Sequence, residues 1–325
     1  MNTERIFSIN SHNEFDKMCL DVFQFQYTHC KIYQRFCNLI GKCKLTVSTP
    51  GDIPFLPIEF FKKEKVLINN AKAEIIFTSS GTTGQQTSKH YVSDVSLYEK
   101  SYLKGFTNFY KKIEDYCVLA LLPSYLDRKG SSLIYMTNDL INRSKHPKSG
   151  FYLNNLKELV EILKELENKN QKTLLIGVSF ALLDLAEQFN LKLKHTIVME
   201  TGGMKGRRKE MIRTELHKKL SESFGVEKIH SEYGMTELLS QAYSKGDGIF
   251  ECPPWMRILT RNTENPLQPV AEGKTGGINV IDLANVNSCS FIATQDLGKV
   301  YADRTFEILG RFDHSDIRGC NLMAL

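Results

Sequence analysis

The 325-residue chain has no cysteines in C-x-x-C spacing, a single tryptophan, nine prolines and no apolar run long enough to cross a membrane. A spanning helix needs about 18 or more consecutive apolar residues, so no membrane insertion is expected. The first twenty positions include Glu4, Arg5, Glu14 and Asp16 without a central apolar stretch, and no secretory leader is read there. The eight cysteines, at 19, 30, 37, 43, 117, 252, 289 and 320, are scattered through apolar surroundings. A chain this long buries a core without disulfide staples, so they read as reduced thiols of a cytoplasmic protein, with no zinc site. Charge of one sign is also scarce: 42 Lys and Arg against 37 Asp and Glu leave +5, which favours anionic ligands only weakly. The basic runs Lys62–Lys65 (KKEK) and Lys205–Lys209 (KGRRK) lack the interleaved aromatics that stack on bases. They read as solvated faces, and no nucleic-acid partner is expected.

What is present is an ordered change of periodicity. Phe15, Met18, Cys19, Val22 and Phe23 follow helical spacing, which makes residues 1–50 a helical cap. The run GDIPFLPIEFF from Gly51 reads as an extended connector because of Pro54 and Pro57. Apolar strands are expected at Glu74–Thr78, Cys117–Leu122, Thr173–Ile176, Thr196–Met199 and Glu227–His230, with helices at about 94–113, 155–166, 180–188 and 208–224. Repeated strand–helix–strand units of this length imply an α/β core with a parallel sheet flanked by helices over residues 51–248. From 249 to 312 short strands and turns suggest a smaller β-rich part, and 313–325 is left as a short tail.

Three windows could carry chemistry. Thr78–Gly84 is built only of Ser, Thr and Gly, and lies between a predicted strand and a predicted helix. Such a loop can turn successive N–H groups and hydroxyls toward one phosphate, or it can be a polar surface turn. It is not a Walker A loop, since Gln86 and Thr87 stand where a glycine and a lysine would be required. The second window, Ser231–Glu237 (SEYGMTE), puts Tyr233, Gly234, Thr236 and Glu237 just past a strand end, where open parallel sheets bind ligands. A ring can stack on a base, a hydroxyl can reach a phosphate, and a carboxylate can hold Mg2+ through oxygen. The third pairs Thr294-Gln295-Asp296 with Gly310–Gly319 (GRFDHSDIRG), where Asp296 and Arg311 could hold a ribose. Taken singly, each window could equally be a solvated turn.

Taken together and in this order, they resemble the adenylate-forming superfamily of acyl and aryl ligases, and most closely the acyl-protein synthetases of the LuxE type. The resemblance also takes in IPFLPIEFF, SKHYVSD, ALLPSY at 120–125 and TGGMKGRRKE at 201–210. It implies an ATP-dependent ligase that activates a carboxylic acid, in this family a fatty acid, as an acyl-adenylate with Mg2+ and passes the acyl group to a protein thiol. Ser79, Ser80, Gly81, Thr82, Thr83 and Gly84 would wrap the ATP phosphates. Gly202 and Gly203 would line the adenine, Tyr233 would stack on it with Gly234 in the same nucleotide site, and Thr236 and Glu237 would serve phosphate and Mg2+. Asp296 and Arg311 would hold the ribose.

Relative to that pattern, the lysine after the loop falls late, at Lys89. The chain given ends fourteen residues after Arg311, so the mobile carboxy-terminal domain of the superfamily, with its catalytic lysine, is expected to be absent. Cys320, beside Gly319 and near Arg318, occupies the place of the family's acyl-accepting cysteine, and a nearby guanidinium favours the thiolate. An acyl-accepting protein partner, a reductase or a transferase, is then expected. Coenzyme A or a carrier-protein thiol is the alternative acceptor, and a non-catalytic nucleotide- or acyl-binding subunit is the alternative of another class. His90, His195, His230 and His314 have no visible Ser/Asp or Cys/Asn pairing and read as structural, with His230 placed nearest the site.

Overall fold

The strand Cys117–Leu121 (CVLAL) is buried at all five positions, which an apolar run achieves only when both faces of its sheet are covered. Its neighbour Thr173–Val178 is equally buried and lies parallel to it, from Cys117 opposite Thr173 to Leu121 opposite Gly177. Thr196–Thr201 and then His230–Tyr233 continue the parallel order, Gly150–Phe151 joins the other edge in parallel, and Ala242–Ser244 pairs antiparallel with His230–Tyr233. The helices Ser132–Ser144, Leu156–Asn168, Ser179–Gln188 and Arg213–Phe224 alternate with these strands. Ser131 and Asn155 cap the first two by accepting the N–H of Ile134 and of Glu158. This α/β unit comprises residues 99–236 and 241–250.

A second unit comprises residues 1–98, 237–240 and 251–325. Its sheet is an antiparallel meander of Met256–Arg261, Gly276–Asp282, Phe291–Val300 and Phe306–Arg311. Leu56–Pro57, inside the proline-rich connector, adds to Phe291–Val300 in parallel. Helix His12–His29 buries Phe15, Met18, Cys19, Val22 and Phe23, the face its spacing predicts. Trp255, with Phe7 edge-on at 5.1 Å, sits in the same core. The structure is a computed structural model, and it describes residues 1–79, 86–122, 130–153, 155–202 and 211–311. Among these, no helix is long and apolar enough to cross a membrane.

Two local expectations are corrected. The segment between the strand Ile75–Thr78 and the helix Val95–Tyr110 contains a further strand, Lys89–Val92, which pairs antiparallel with Ile75–Thr78, so the helix does not follow the window directly. The run Lys89–Val92 alternates exposed and buried positions over only four residues, too short a pattern to stand out beside the polar run before it. The strand expected at Glu227–His230 is formed instead by His230–Tyr233, so Tyr233 ends the strand and does not lie beyond it. Polar Ser231 and Glu232 masked that strand, because their burial is made acceptable by partners distant in sequence.

Candidate functional site

In the meander unit the chain enters for four residues, Glu237–Ser240, and Glu237 is only 5% exposed there. Burial raises its proton affinity, while a hydrogen bond from Ser88 and the charge of Arg311 favour the carboxylate and Asp296 opposes it. Ser88 stands at the foot of the hairpin. Its N–H donates to Ser79 Oγ at 2.9 Å and its carbonyl accepts from Ser79 N–H at 3.1 Å, so Ser79, in the Ser/Thr/Gly window, is tied to the partner of Glu237.

Asp296 and Arg311 are opposite one another in the register of their two strands, with Arg311 Nε 3.3 Å from Asp296 Oδ1. The carboxylate is nearly buried and the arginine side chain is 70% exposed. Asp296 N–H donates to Thr294 Oγ1 at 3.1 Å, and that hydroxyl donates to Ile278 O at 3.0 Å. Arg261 lies buried in the same sheet and donates to Ile278 O, Asn279 Oδ1 and Thr294 O. Burial pulls its pKa down to about 10 against the charges of Glu59 and Asp296. Neither Ser88 nor Arg261 was read from the sequence. A buried arginine in a short strand carries no local signature, because its carbonyl partners lie 17 and 33 residues away.

In the α/β unit, Gly202 follows strand Thr196–Thr201 with φ +66°, a left-handed conformation that suits glycine. Its carbonyl accepts from Ser179 Oγ at 2.6 Å, and Ser179 also lies 3.1 Å from Glu200 Oε2. Glu200 is buried, which disfavours its charge, yet His217 and Arg213 beside it outweigh that cost and lower its pKa. Thr201 donates to Glu232 across the parallel register that sets these two residues side by side. Gly234 is constrained by the same carboxylate: a Cβ there would lie 2.4 Å from Glu232 Oε1. Tyr233 is 9% exposed and meets Phe250 edge-on at 6.1 Å, with the Arg213 guanidinium over the Phe250 ring at 5.1 Å. Thr236 is half-buried. His230, half-buried among Tyr110 and neighbouring lysines, has its pKa pushed down to about 4 by burial and their charges.

Of the residues singled out by sequence, Ser79, Glu237, Asp296 and Arg311 thus share the meander unit, and Gly202, Tyr233, Gly234 and Thr236 the α/β unit. Ser80, Gly81, Thr82, Thr83, Gly84, Gly203, Cys320 and His314 lie outside the described residues. The seven described cysteines are free thiols. Burial raises the pKa of Cys19, Cys30, Cys37, Cys117, Cys252 and Cys289, whereas Cys43 is half-exposed and has its pKa lowered by the backbone N–H of Leu45 and by Thr46.

The fold is similar to those of solved adenylate-forming ligases. 2-Hydroxyisobutyryl-CoA ligase, solved with 2-HIB-AMP and CoA, matches with a TM-score of 0.68 at 12% identity, over 97% of this chain and 76% of that one. ATP-bound MatB from Rhodopseudomonas palustris matches with a TM-score of 0.54 at 18% identity, over 75% of this chain and 49% of that one. The family model of the acyl-protein synthetase LuxE matches residues 7–117 and 138–324, and the chain belongs to that family. A long-chain-fatty-acid--luciferin-component ligase of Vibrio harveyi is 24% identical over 99% of this chain and 90% of its own length. One of Photorhabdus luminescens is 38% identical over 21% of this chain and 59% of its own length. The protein is therefore a ligase.

Proposed function

We propose that the protein is an ATP-dependent acyl ligase that activates a carboxylic acid, of the fatty-acid class, as an acyl-adenylate and transfers the acyl group to a protein thiol. The observation that carries this reading is the link Ser79–Ser88–Glu237 in the unit that also holds Asp296 and Arg311, since it joins the phosphate, metal and ribose signatures in one folded body. The substrate carboxylate attacks the α-phosphorus of ATP, pyrophosphate leaves, and a thiolate then displaces AMP from the mixed anhydride. The protein's share is positioning and stabilisation of developing charge.

Among the described residues no group of three or more His, Cys, Asp or Glu could hold a metal by itself. Mg2+ commonly takes one or two carboxylates together with substrate phosphates, and a buried carboxylate whose burial disfavours its charge suits that use. Glu237 would hold the ion, which when bound would neutralise charge on the departing pyrophosphate. Ser88 keeps one hydrogen bond on that carboxylate, and Arg311 would steady the ribose beside Asp296.

The acceptor in this reading is Cys320, from which the acyl group would pass to a protein partner, a reductase or a transferase. Six of the seven described cysteines are poor thiolates because burial raises their pKa values, which leaves Cys43 as the rival within the chain. Cys320→Ser is expected to keep acid-dependent ATP–pyrophosphate exchange and to lose hydroxylamine-sensitive labelling by radiolabelled acid, while Cys43→Ser keeps both. Labelling that survives Cys320→Ser removes Cys320 from this role. Coenzyme A consumption by a wild-type protein that never labels points instead to a soluble thiol.

A further inference from the structure

Glu237 is held by more than Ser88, and the additional contacts are buried and oriented. Asn285 closes the turn Leu283–Asn285 that follows strand Gly276–Asp282, and its side chain is 1% exposed. Its amide lies 2.8 Å from Glu237 O and 2.9 Å from Cys289 O. Two carbonyl oxygens can only be met by the NH2 end, so the side-chain oxygen faces the other way, 3.0 Å from His90 Nε2. His90 must then carry its proton on Nε2. His90 is fully buried and sits two residues beyond Ser88 on the same hairpin arm, so one short segment reaches both the carboxylate and, through Asn285, the main chain of Glu237.

The other end of the four-residue excursion is fixed from the same turn. Asp282 Oδ2 accepts from Leu239 N–H at 2.7 Å and Ser240 N–H at 3.0 Å, and Oδ1 accepts from Ser240 Oγ and from Ala284 N–H. Gln26 secures the turn itself by donating to Asn285 O at 3.1 Å and Val286 O at 2.9 Å. A buried polar group left without a partner costs about 1–3 kcal/mol, so a network this completely paired defines one arrangement.

We infer that His90 and Asn285 are positioning residues for Glu237, setting its main chain for adenylate formation while Asp282 anchors the segment behind it. The inference rests on the adenylation reading and adds to it two residues outside the phosphate, metal and ribose signatures. An apolar replacement at His90 leaves the Asn285 oxygen unpaired and lets the amide turn away from Glu237 O. A glutamine keeps an N–H near the place of Nε2.

The test is initial-rate ATP–pyrophosphate exchange with the 325-residue chain and a saturating carboxylic acid. His90→Leu is expected to lower the maximal rate about 10- to 100-fold, the usual cost of losing a group that orients a metal or catalytic ligand, with KM for ATP little changed. His90→Gln should recover most of the rate. In a Glu237→Gln background His90→Leu should cost nothing further, because a residue acting only through Glu237 then has nothing to position. Asn285→Asp, nearly isosteric and without the amide donor, provides a second route, with cooperative thermal unfolding as the check that it is folded. Full additivity of His90→Leu with Glu237→Gln overturns the inference, as does His90→Gln as slow as His90→Leu or a folded Asn285→Asp variant at wild-type rate. A wild-type protein that exchanges with no acid brings down the adenylation reading as well, whereas additivity in an active wild type removes only the positioning role.

Discussion

Asp282 illustrates what burial does to a single residue here. It is fully buried and accepts four hydrogen bonds, yet desolvation outweighs them and pushes its pKa from the ordinary 3.8 up to about 6. The folded state therefore binds this proton more tightly than the unfolded chain does. The stability it contributes is complete below the unfolded pKa and is lost as pH rises through the folded one. Relative to Asp282→Asn, which cannot titrate, the wild type is expected to lose stability between about pH 4 and pH 7. Urea unfolding of both proteins across that range checks this, and parallel profiles would refute it. Nothing around Asp282 in the sequence marks it. Glu237, Asp296 and Arg311 could be singled out because each sits in a short window of closely spaced Gly, Thr and charged residues. Ser88, Asn285 and Arg261 could not, and His90 was read as structural without its partner, since the groups they meet are distant in sequence; His90 and Asn285 stand 195 apart.

At the scale of elements, the long buried strands and the amphipathic helices were readable because they repeat one periodicity over several residues. The meander was read only in outline. Its strands carry polar Thr260, Arg261, Asn279 and Thr294 at buried positions, where apolar residues are the usual occupants. The bulge between Leu297 and Gly298 is of the same kind, a feature set by packing against the neighbouring strand. There the backbone approaches so closely that a Cβ on Gly298 would lie 2.2 Å from Glu307 O and 2.8 Å from Ile278 Cδ1. A carbonyl in a ladder cannot swing aside as a side chain can. Gly298→Ala should therefore destabilise the protein by about 1–3 kcal/mol, the range for overpacking, read as a lowered urea midpoint at unchanged m. An unchanged midpoint would mean that this bulge relaxes freely.

Across the whole molecule, a sequence with an α/β half and a β-meander half yields two units, and the four-residue excursion Glu237–Ser240 belongs to the unit that also holds Ser79, Asp296 and Arg311. Membership of the LuxE acyl-protein synthetase family fixes the class of enzyme. The proposed adenylation chemistry assigns the central role to Glu237 and the groups gathered about it. The most direct measurement is ATP–pyrophosphate exchange by the wild type and by Glu237→Gln, each with a panel of carboxylic acids. Exchange is expected to depend on added acid in the wild type and to fall by roughly two to three orders of magnitude in the variant, the scale for removing one preorganised charge-stabilising contact. No acid-dependent exchange in the wild type, or a Glu237→Gln variant within a few fold of it, would contradict the account.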